Sequence, residues 1–460
     1  MTNRNFRKPK IGFAPITLKL YREKATEYLP GMNKFFLQLT KILSQEIKIC
    51  PSYLIFDQAT AGQAWQYFYQ EGVEGVIIVF LSYGTSLSLL PALKQTTFPL
   101  LLWNTQKLKT VTSAFQRREL MENHGIHGVQ DLASVLLREK VNFSLITGHW
   151  TDKKTLQEIK AWSLAAAVSH RLSEMLIGRI GSRFEEMGDF ALPDDWLTEK
   201  LGPRVVDLDG CFLQVKTSGQ RKSQNSRWPS EFIFDRRVTE PVKQASFLAA
   251  SRLEKLMLQE KLAAVAVNFA GLKPGQVMPF LGICQLMATG YGYGGEGDIF
   301  SATAVLLAQI FSGGKATFTE MFTADFLRNR VLMNHLGEAN FNLKRPTWPI
   351  RLVVNPMTLG NKTATLVPVF TLRPALATLI NLTGTSDGLR FIVSRARIVR
   401  GPSLSLESPH FFVRPEQRLS DFLTAYSLAG GSHHLALAFG DCRQNFRYLA
   451  QIKGIELVEI

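Results

Sequence analysis

Short apolar, β-branched runs alternate with longer stretches of helical period along the first third of the chain. Residues 10–14, 52–55, 75–81, 99–103 and 143–147 read as strands, and 30–45 and 61–71 as helices. Strand, helix, strand at this spacing predicts a parallel, doubly wound α/β sheet, whose ligands gather beyond the carboxyl ends of its strands. Those ends fall at residues 13–15, 82–86, 104–106 and 147–150.

Helical segments around 155–176 lead into a second region. There 205–215 reads as a strand, 240–262 as a long amphipathic helix, and the polar stretch 216–230, with Gly219 and Pro229, as a surface loop. Residues 263–269 are a further buried strand, followed by a helical 281–289, the glycine-rich 290–297, and a helix from Asp298 to about residue 311. The last third changes character: 351–355, 363–370, 377–382 and 389–399 are short β-rich runs separated by turn residues. The expected fold class is therefore α/β, with doubly wound N-terminal and central α/β domains followed by a mostly antiparallel, barrel-like β C-terminal domain. The boundaries fall at 1–168 (flavodoxin-like), 169–318 and 319–460.

With 460 residues, 46% hydrophobic and 20% charged, the chain has enough apolar surface for several cores and is not a disordered or fibrous sequence. Its most apolar run, 76–81, is far short of the roughly 18–20 residues that a membrane helix needs. The apolar stretch 11–18 is interrupted by Pro15, so the N-terminus does not read as a signal peptide. Cys50, Cys211, Cys284 and Cys442 are dispersed with no CxxC pair, which argues against a zinc ribbon or a disulfide framework and for a reducing cytoplasm. The net charge of +15 raises nucleic acid or another anionic surface as a partner. No zinc finger or aromatic RNA-binding signature accompanies it, so a specific nucleic-acid partner is not expected.

Candidate chemistry begins with the cluster from Gly290 to Asp298. It formally contains GxGxxG at Gly290, Gly292 and Gly295, but a dinucleotide site needs that motif directly after a strand. Two other readings stand beside it: glycines that fold tightly around Glu296 ahead of a helix capped by Asp298, and a glycine loop with an incidental glutamate. The eight histidines include the adjacent pair His433 and His434 after Gly430-Gly431-Ser432. Neighbours on a strand point to opposite faces, so one of the pair is expected to reach a given metal. Neither His335, in Asn334-His335-Leu336-Gly337-Glu338, nor Glu320, in Phe318-Thr319-Glu320-Met321, shows a compact ligand spacing of the HExxH kind. On spacing alone, a lone histidine reads as a hydrogen-bonded structural residue ahead of a metal ligand.

Taken in order, these segments resemble the L-arabinose isomerase family within the wider L-fucose/L-arabinose isomerase group. The resemblance is carried by His124-Gly125-Ile126-His127-Gly128, Thr147-Gly148-His149-Trp150-Thr151-Asp152, the cluster from Gly290 to Asp298, the Phe318 to Met321 segment, His335, and Gly430-Gly431-Ser432-His433-His434. It implies metal ligation by Glu296, Glu320, His335 and His434, a set suited to Mn²⁺, with Co²⁺ or Mg²⁺ as alternatives. It implies aldose–ketose isomerisation of a free sugar, of the L-arabinose to L-ribulose type, through a cis-enediol. Glu296 and Glu320 would act as the catalytic acid/base pair, each with one oxygen free of the metal. His127 would meet sugar hydroxyls, His433 would orient its neighbour or a hydroxyl, and Phe269 would form a pocket wall. Within 181–190 the match is ambiguous between Phe184 and Met187. The resemblance further implies a cytoplasmic homo-oligomer, trimer or hexamer, with active sites completed by neighbouring subunits. The chain is shorter than the usual family member, ending soon after His434, and its N-terminal part matches loosely, which leaves the identity of the sugar open. A non-catalytic, sugar-binding or regulatory homologue of the same fold is the alternative.

Overall fold

The alternation in the first third builds the sheet it predicts. In the computed structural model, which describes residues 7–214 and 232–460, the chain divides into two units, Arg7–Arg171 with Arg447–Lys453 and Leu172–Phe446 with Gly454–Ile460. The surface loop expected at 216–230 lies outside the described residues.

In the first unit, strands β1 (Lys10–Ile16), β2 (Lys48–Pro51), β3 (Val76–Phe80), β4 (Leu100–Asn104) and β5 (Ser144–Thr147) form a parallel sheet of order β2-β1-β3-β4-β5. Every residue of β3 is buried, which requires cover on both faces and accounts for its unbroken apolar run. The strand expected at 52–55 instead ends at Pro51. Only Cys50 of β2 is buried, so this edge strand carries little hydrophobic signal, and the apolar residues just after it drew the reading too far along the chain. The helix Gln58–Glu71 begins in a capping box between Asp57 and Thr60 and ends on Gly72 in the left-handed region, φ 59°. Strand order reverses at β1 and β3. Beyond the end of β3 the helix Gly125–Arg138 docks so closely that a Cβ on Gly125 would lie 2.5 Å from the Phe80 carbonyl oxygen.

The second unit opens with β6 (Leu176–Ile180), β7 (Arg204–Leu208), β8 (Phe232–Phe234), β9 (Ala264–Val267) and β10 (Gly292–Gly295). Four of these form a parallel sheet of order β10-β9-β6-β7, whose switch point lies between β6 and β9. The predicted strand at 205–215 ends at Leu208, and a short 3₁₀ turn, Gly210–Leu213, follows. The glycine run read as a loop is in part a buried strand, β10, and glycine is what its packing demands. A Cβ on Gly292 would lie 2.3 Å from the Ala302 carbonyl oxygen, and one on Gly294 would lie 2.1 Å from that of Asp298. The helix they press against, Ile299–Ser312, is buried on every side from Ile299 to Ile310. It touches β6, β9 and β10 as well as the barrel described next, so it is apolar all round rather than amphipathic.

The remaining strands are β11 (Ala316–Asp325), β12 (Arg330–Asn334), β13 (Ile350–Asn355), β14 (Thr365–Val369), β15 (Ala375–Gly384), β16 (Leu389–Val399), β17 (His410–Pro415), β18 (His434–Phe439) and β19 (Glu456–Glu459). Six of them close antiparallel in the order β15-β18-β11-β12-β17-β16 and back to β15, with β19 added parallel to β16. β8, β13 and β14 make a small separate sheet. The chain is thus α/β with two parallel sheets followed by a mostly antiparallel barrel, as its pattern predicts. Barrel register sets up the chemistry: Glu320 on β11 lies opposite His434 on β18 and opposite Asn334, the residue before His335, on β12.

Candidate active site and metal centre

Three adjacent barrel strands therefore deliver Glu320, His434 and His335 to one end of the barrel. Glu296 arrives from the central sheet, on the turn between β10 and the buried helix. Its backbone is left-handed, φ 56°, between Gly295 and Gly297 at φ 79°. Such a conformation disfavours any residue with a Cβ and persists only where the surrounding structure holds it. Gly295 makes room as well: a Cβ there would lie 3.1 Å from the His335 ring.

Ligand atoms of Glu296, Glu320, His433 and His434 all lie within 4.8 Å of one another. His434 Nε2 is 3.3 Å from Glu320 Oε1 and 3.5 Å from Glu296 Oε2. His335 Nε2 stands beside this group, 3.3 Å from the same Glu320 oxygen. His433 Nε2 is 3.6 Å from Glu296 and 3.8 Å from Glu320. Both of the paired histidines thus stand beside the carboxylates. His434 is the first residue of β18, while His433 precedes the strand and follows a turn at Gly430, φ 79°, so strand alternation does not govern it. The two rings sit 4.2 Å apart between centroids.

Each of the three imidazoles is held from behind by a carboxylate. His335 Nδ1 meets Glu338 Oε2 at 2.6 Å, His434 Nδ1 meets Asp298 Oδ2 at 2.9 Å, and His433 Nδ1 meets Asp189 Oδ2 at 2.6 Å. A carboxylate behind Nδ1 fixes the proton there and turns the Nε2 lone pair inward, the arrangement that metal-binding histidines use. Glu338 is itself fixed by the Tyr293 hydroxyl and the Gly337 amide, and Asp189 also accepts from the His433 amide. Sequence reading marked Asp298 only as a helix cap and missed Glu338 and Asp189. Glu338 has a local signal, three residues beyond His335; Asp189 has none, being 244 positions from its partner.

Burial works against charge on Glu296, but the imidazoles of His433 and His434 outweigh it and hold the carboxyl down to about 2. Burial likewise opposes a proton on His433, yet Asp189 and Glu296 raise it to about 9. The buried rings of His335 and His434 are raised by their own carboxylates, Glu338 and Asp298 foremost. Without a cation, protons on the rings balance the crowded carboxylates. Glu296 Oε2 and His434 Nε2 are buried and face each other at 3.5 Å without a well-formed hydrogen bond. Unpartnered buried polar atoms are costly, and a divalent cation between them would engage both. Two carboxylates and imidazole nitrogens form the mixed oxygen and nitrogen donor set that such a cation takes.

The loop after β6 walls one side. Asn268, after β9, donates to the Ser182 carbonyl, and the Phe184 amide donates to the Glu296 carbonyl. The Phe190 ring stacks on His434 at 5.1 Å. Phe269 is buried, with its ring 6.3 Å from that of Phe184. A cavity of about 720 Å³ on this loop is lined by Arg179, Arg183, Glu185 and Asp207 and by none of the clustered residues. His127 belongs to the first unit, exposed at the start of the helix Gly125–Arg138. The dinucleotide reading of the glycine run does not survive. Its glycines are packed against a helix, and the amides of Phe300 and Ser301, which would receive a pyrophosphate, are taken by Asp298.

Family models for the N-terminal, central and C-terminal domains of L-arabinose isomerase match residues 38–174, 227–314 and 315–456 respectively. The L-arabinose isomerase of Acidothermus cellulolyticus is 27% identical over 79% of this chain and 75% of its own. That of Erwinia tasmaniensis is 25% identical over 79% and 75%. L-arabinose isomerase 1 of Bacillus licheniformis is 23% identical over 85% and 81%.

Proposed function

The chain belongs to the L-arabinose isomerase family, and from that premise we propose that it is a divalent-metal-dependent aldose–ketose isomerase acting on L-arabinose or a related L-sugar. The observation that carries the metal is the buried, unpartnered pair Glu296 Oε2 and His434 Nε2. Glu296, Glu320, His335 and His434 are the proposed ligands, for Mn²⁺ first and Co²⁺ or Mg²⁺ as alternatives. His433 is the most exposed imidazole of the three, 39% against 4% and 0%, which suits contact with substrate rather than metal.

Held by Glu296, Glu320, His335 and His434, the cation would supply positive charge that polarises the carbonyl of the open-chain sugar. The protein's own work is proton transfer. Glu296, ionised beside the imidazoles of His433 and His434, is the proposed acceptor of the C2 proton. Glu320, opposite His434 in the barrel register, is the second acid/base group across the cis-enediol. Phe190 and Phe184 back the site with apolar surface that keeps water from the enediol. His127 and His433 are proposed to meet hydroxyls, and Phe269 to back the pocket. The three-domain division at 168/169 and 318/319, a trimer or hexamer whose subunits complete each site, and a cytoplasmic setting belong to the same proposal. No helix among the described residues is long and apolar enough to cross a membrane.

Purified protein with Mn²⁺ is expected to form ketose from one or more members of a panel of L-pentoses and deoxyhexoses. Glu296→Gln and Glu320→Gln are each expected to lower kcat by about 10²–10⁴. Metal-loaded protein that converts no aldose overturns the proposal. Sugar binding that is indifferent to EDTA, without turnover, would point instead to a regulatory homologue.

A further inference from the structure

His124 and His127 form an imidazole pair in the first unit, with His124 Nε2 2.7 Å from His127 Nδ1. The rings meet edge to face at 4.4 Å, and Tyr83 flanks both, at 5.8 Å and 6.4 Å. The pair stands where the helix Gly125–Arg138 begins, and that beginning is pinned to the end of β3. Cβ atoms on Gly125 and Gly128 would lie 2.5 Å and 2.3 Å from the Phe80 carbonyl oxygen and ring. β3 and β1 flank the point where strand order reverses, the crevice in which open parallel sheets hold ligands. His127 is exposed there, whereas His124 is half-buried and its charge is disfavoured by burial and by His127.

We propose that His124 is a positioning residue that locks the His127 ring so that only Nε2 is presented to a sugar hydroxyl. The inference rests on the reading of His127 given under Proposed function. An exposed imidazole alone can flip and offer either nitrogen. With Nδ1 engaged by His124, whichever ring carries the shared proton, the flip costs a hydrogen bond and Nε2 stays outward. A polyol hydroxyl donates and accepts, so one fixed nitrogen serves it in either tautomer. The ordering is done before substrate arrives, which lowers the cost of binding. His124 itself need touch no substrate.

His124→Phe keeps a flat ring against Tyr83 and removes the nitrogen; His124→Gln restores a polar group of similar reach. In the metal-loaded enzyme His124→Phe is expected to raise KM for the sugar about five- to tenfold, the loss of one hydrogen bond, with kcat changed less than twofold. His124→Gln is expected to recover most of that, and His124→Phe to add nothing to the KM of His127→Ala. If His127→Ala raises KM while His124→Phe does not, or if the two effects add fully, the positioning role is overturned and the reading of His127 stands. Equal KM rises in His124→Phe and His124→Gln, with lowered melting temperatures, reduce His124 to a structural residue and overturn it as well. An unchanged KM in His127→Ala overturns the assignment of His127 and this inference together. A parent enzyme without turnover overturns the proposed function itself.

Discussion

Asp298 ties the orientation of His434 to the start of a buried helix. Its Oδ1 accepts from the amides of Phe300 and Ser301 at 2.9 Å and 3.0 Å, while its Oδ2 lies 2.9 Å from His434 Nδ1. One carboxylate thus satisfies a helix N-terminus and fixes which imidazole nitrogen faces Glu296.

The two tasks can be separated. Asparagine caps helices about as well as aspartate, but its amide NH₂ facing Nδ1 would favour a proton on the nitrogen that faces Glu296. Asp298→Asn is therefore expected to leave the helix cap intact, costing stability only through the lost carboxylate behind the His434 ring, while weakening divalent-metal binding about 10–100-fold. Urea denaturation and metal titration read the two quantities. A variant that binds metal normally would show that Asp298 is a cap and nothing more.

The left-handed backbone of Glu296, φ 56°, gives a second expectation. In ordinary backbone, alanine is more stable than glycine by about 0.5–1 kcal/mol. At position 296 the sign should reverse, with Glu296→Gly more stable than Glu296→Ala by about 1 kcal/mol. Both variants lack the carboxylate, so the comparison isolates strain from charge. If alanine equals or exceeds glycine in denaturant unfolding of the metal-free protein, the turn stores no strain.

Much of the fold was legible because burial on both faces leaves long apolar runs, as in β3, and because β15 and β16 are long and β-branched. The edge strand β2, with one buried residue, was misplaced. β10 could not be read at all, since a strand of Gly-Tyr-Gly-Gly has no strand-like composition and owes its existence to the helix packed on it. Glu296, Glu320, His335 and His434 were named through the order of family-like segments; their lack of compact spacing is explained by delivery from β11, β12, β18 and a separate sheet. Asp189 was invisible because its only relationship to His433 is tertiary.

The metal-free site should show a distinct dependence on pH. Against opposing burial, His433 is raised to about 9, so the stability it contributes is complete below the unfolded value of about 6.5 and is lost as pH rises through about 9, and His335 and His434, raised as well, add to the loss on the alkaline side. Glu296 and Asp189 are held down to about 2, so their contribution is present above about 4.3 and 3.9 and is lost as pH falls toward 2. The EDTA-treated protein is therefore expected to melt highest between about pH 4.5 and 6.5. A bound cation must displace the ring protons, so metal affinity should climb from pH 6 to 9, with protons released in calorimetry run in buffers of different ionisation enthalpy. Affinity that is flat over this interval would mean that the rings are already neutral.

A pair of glycine substitutions tests whether packing, rather than composition, builds the metal centre. Gly62 lies in the helix Gln58–Glu71 with nothing within 4 Å of a built Cβ. Gly62→Ala should therefore stabilise the protein by about 0.5–1 kcal/mol through helix propensity. On Gly294 the same methyl would lie 2.1 Å from the Asp298 carbonyl oxygen and 2.9 Å from the Ala302 amide nitrogen, backbone atoms that can yield only by moving the helix start. Gly294→Ala should cost about 1–3 kcal/mol and, because Glu296 and Asp298 lie in the displaced turn, should weaken metal binding as well. Thermal melts with and without Mn²⁺ separate these effects: the shift that metal confers on the parent should persist in Gly62→Ala and shrink in Gly294→Ala. A full metal-induced shift in Gly294→Ala would show that the turn tolerates the displacement and that the close packing of β10 serves the fold rather than the site.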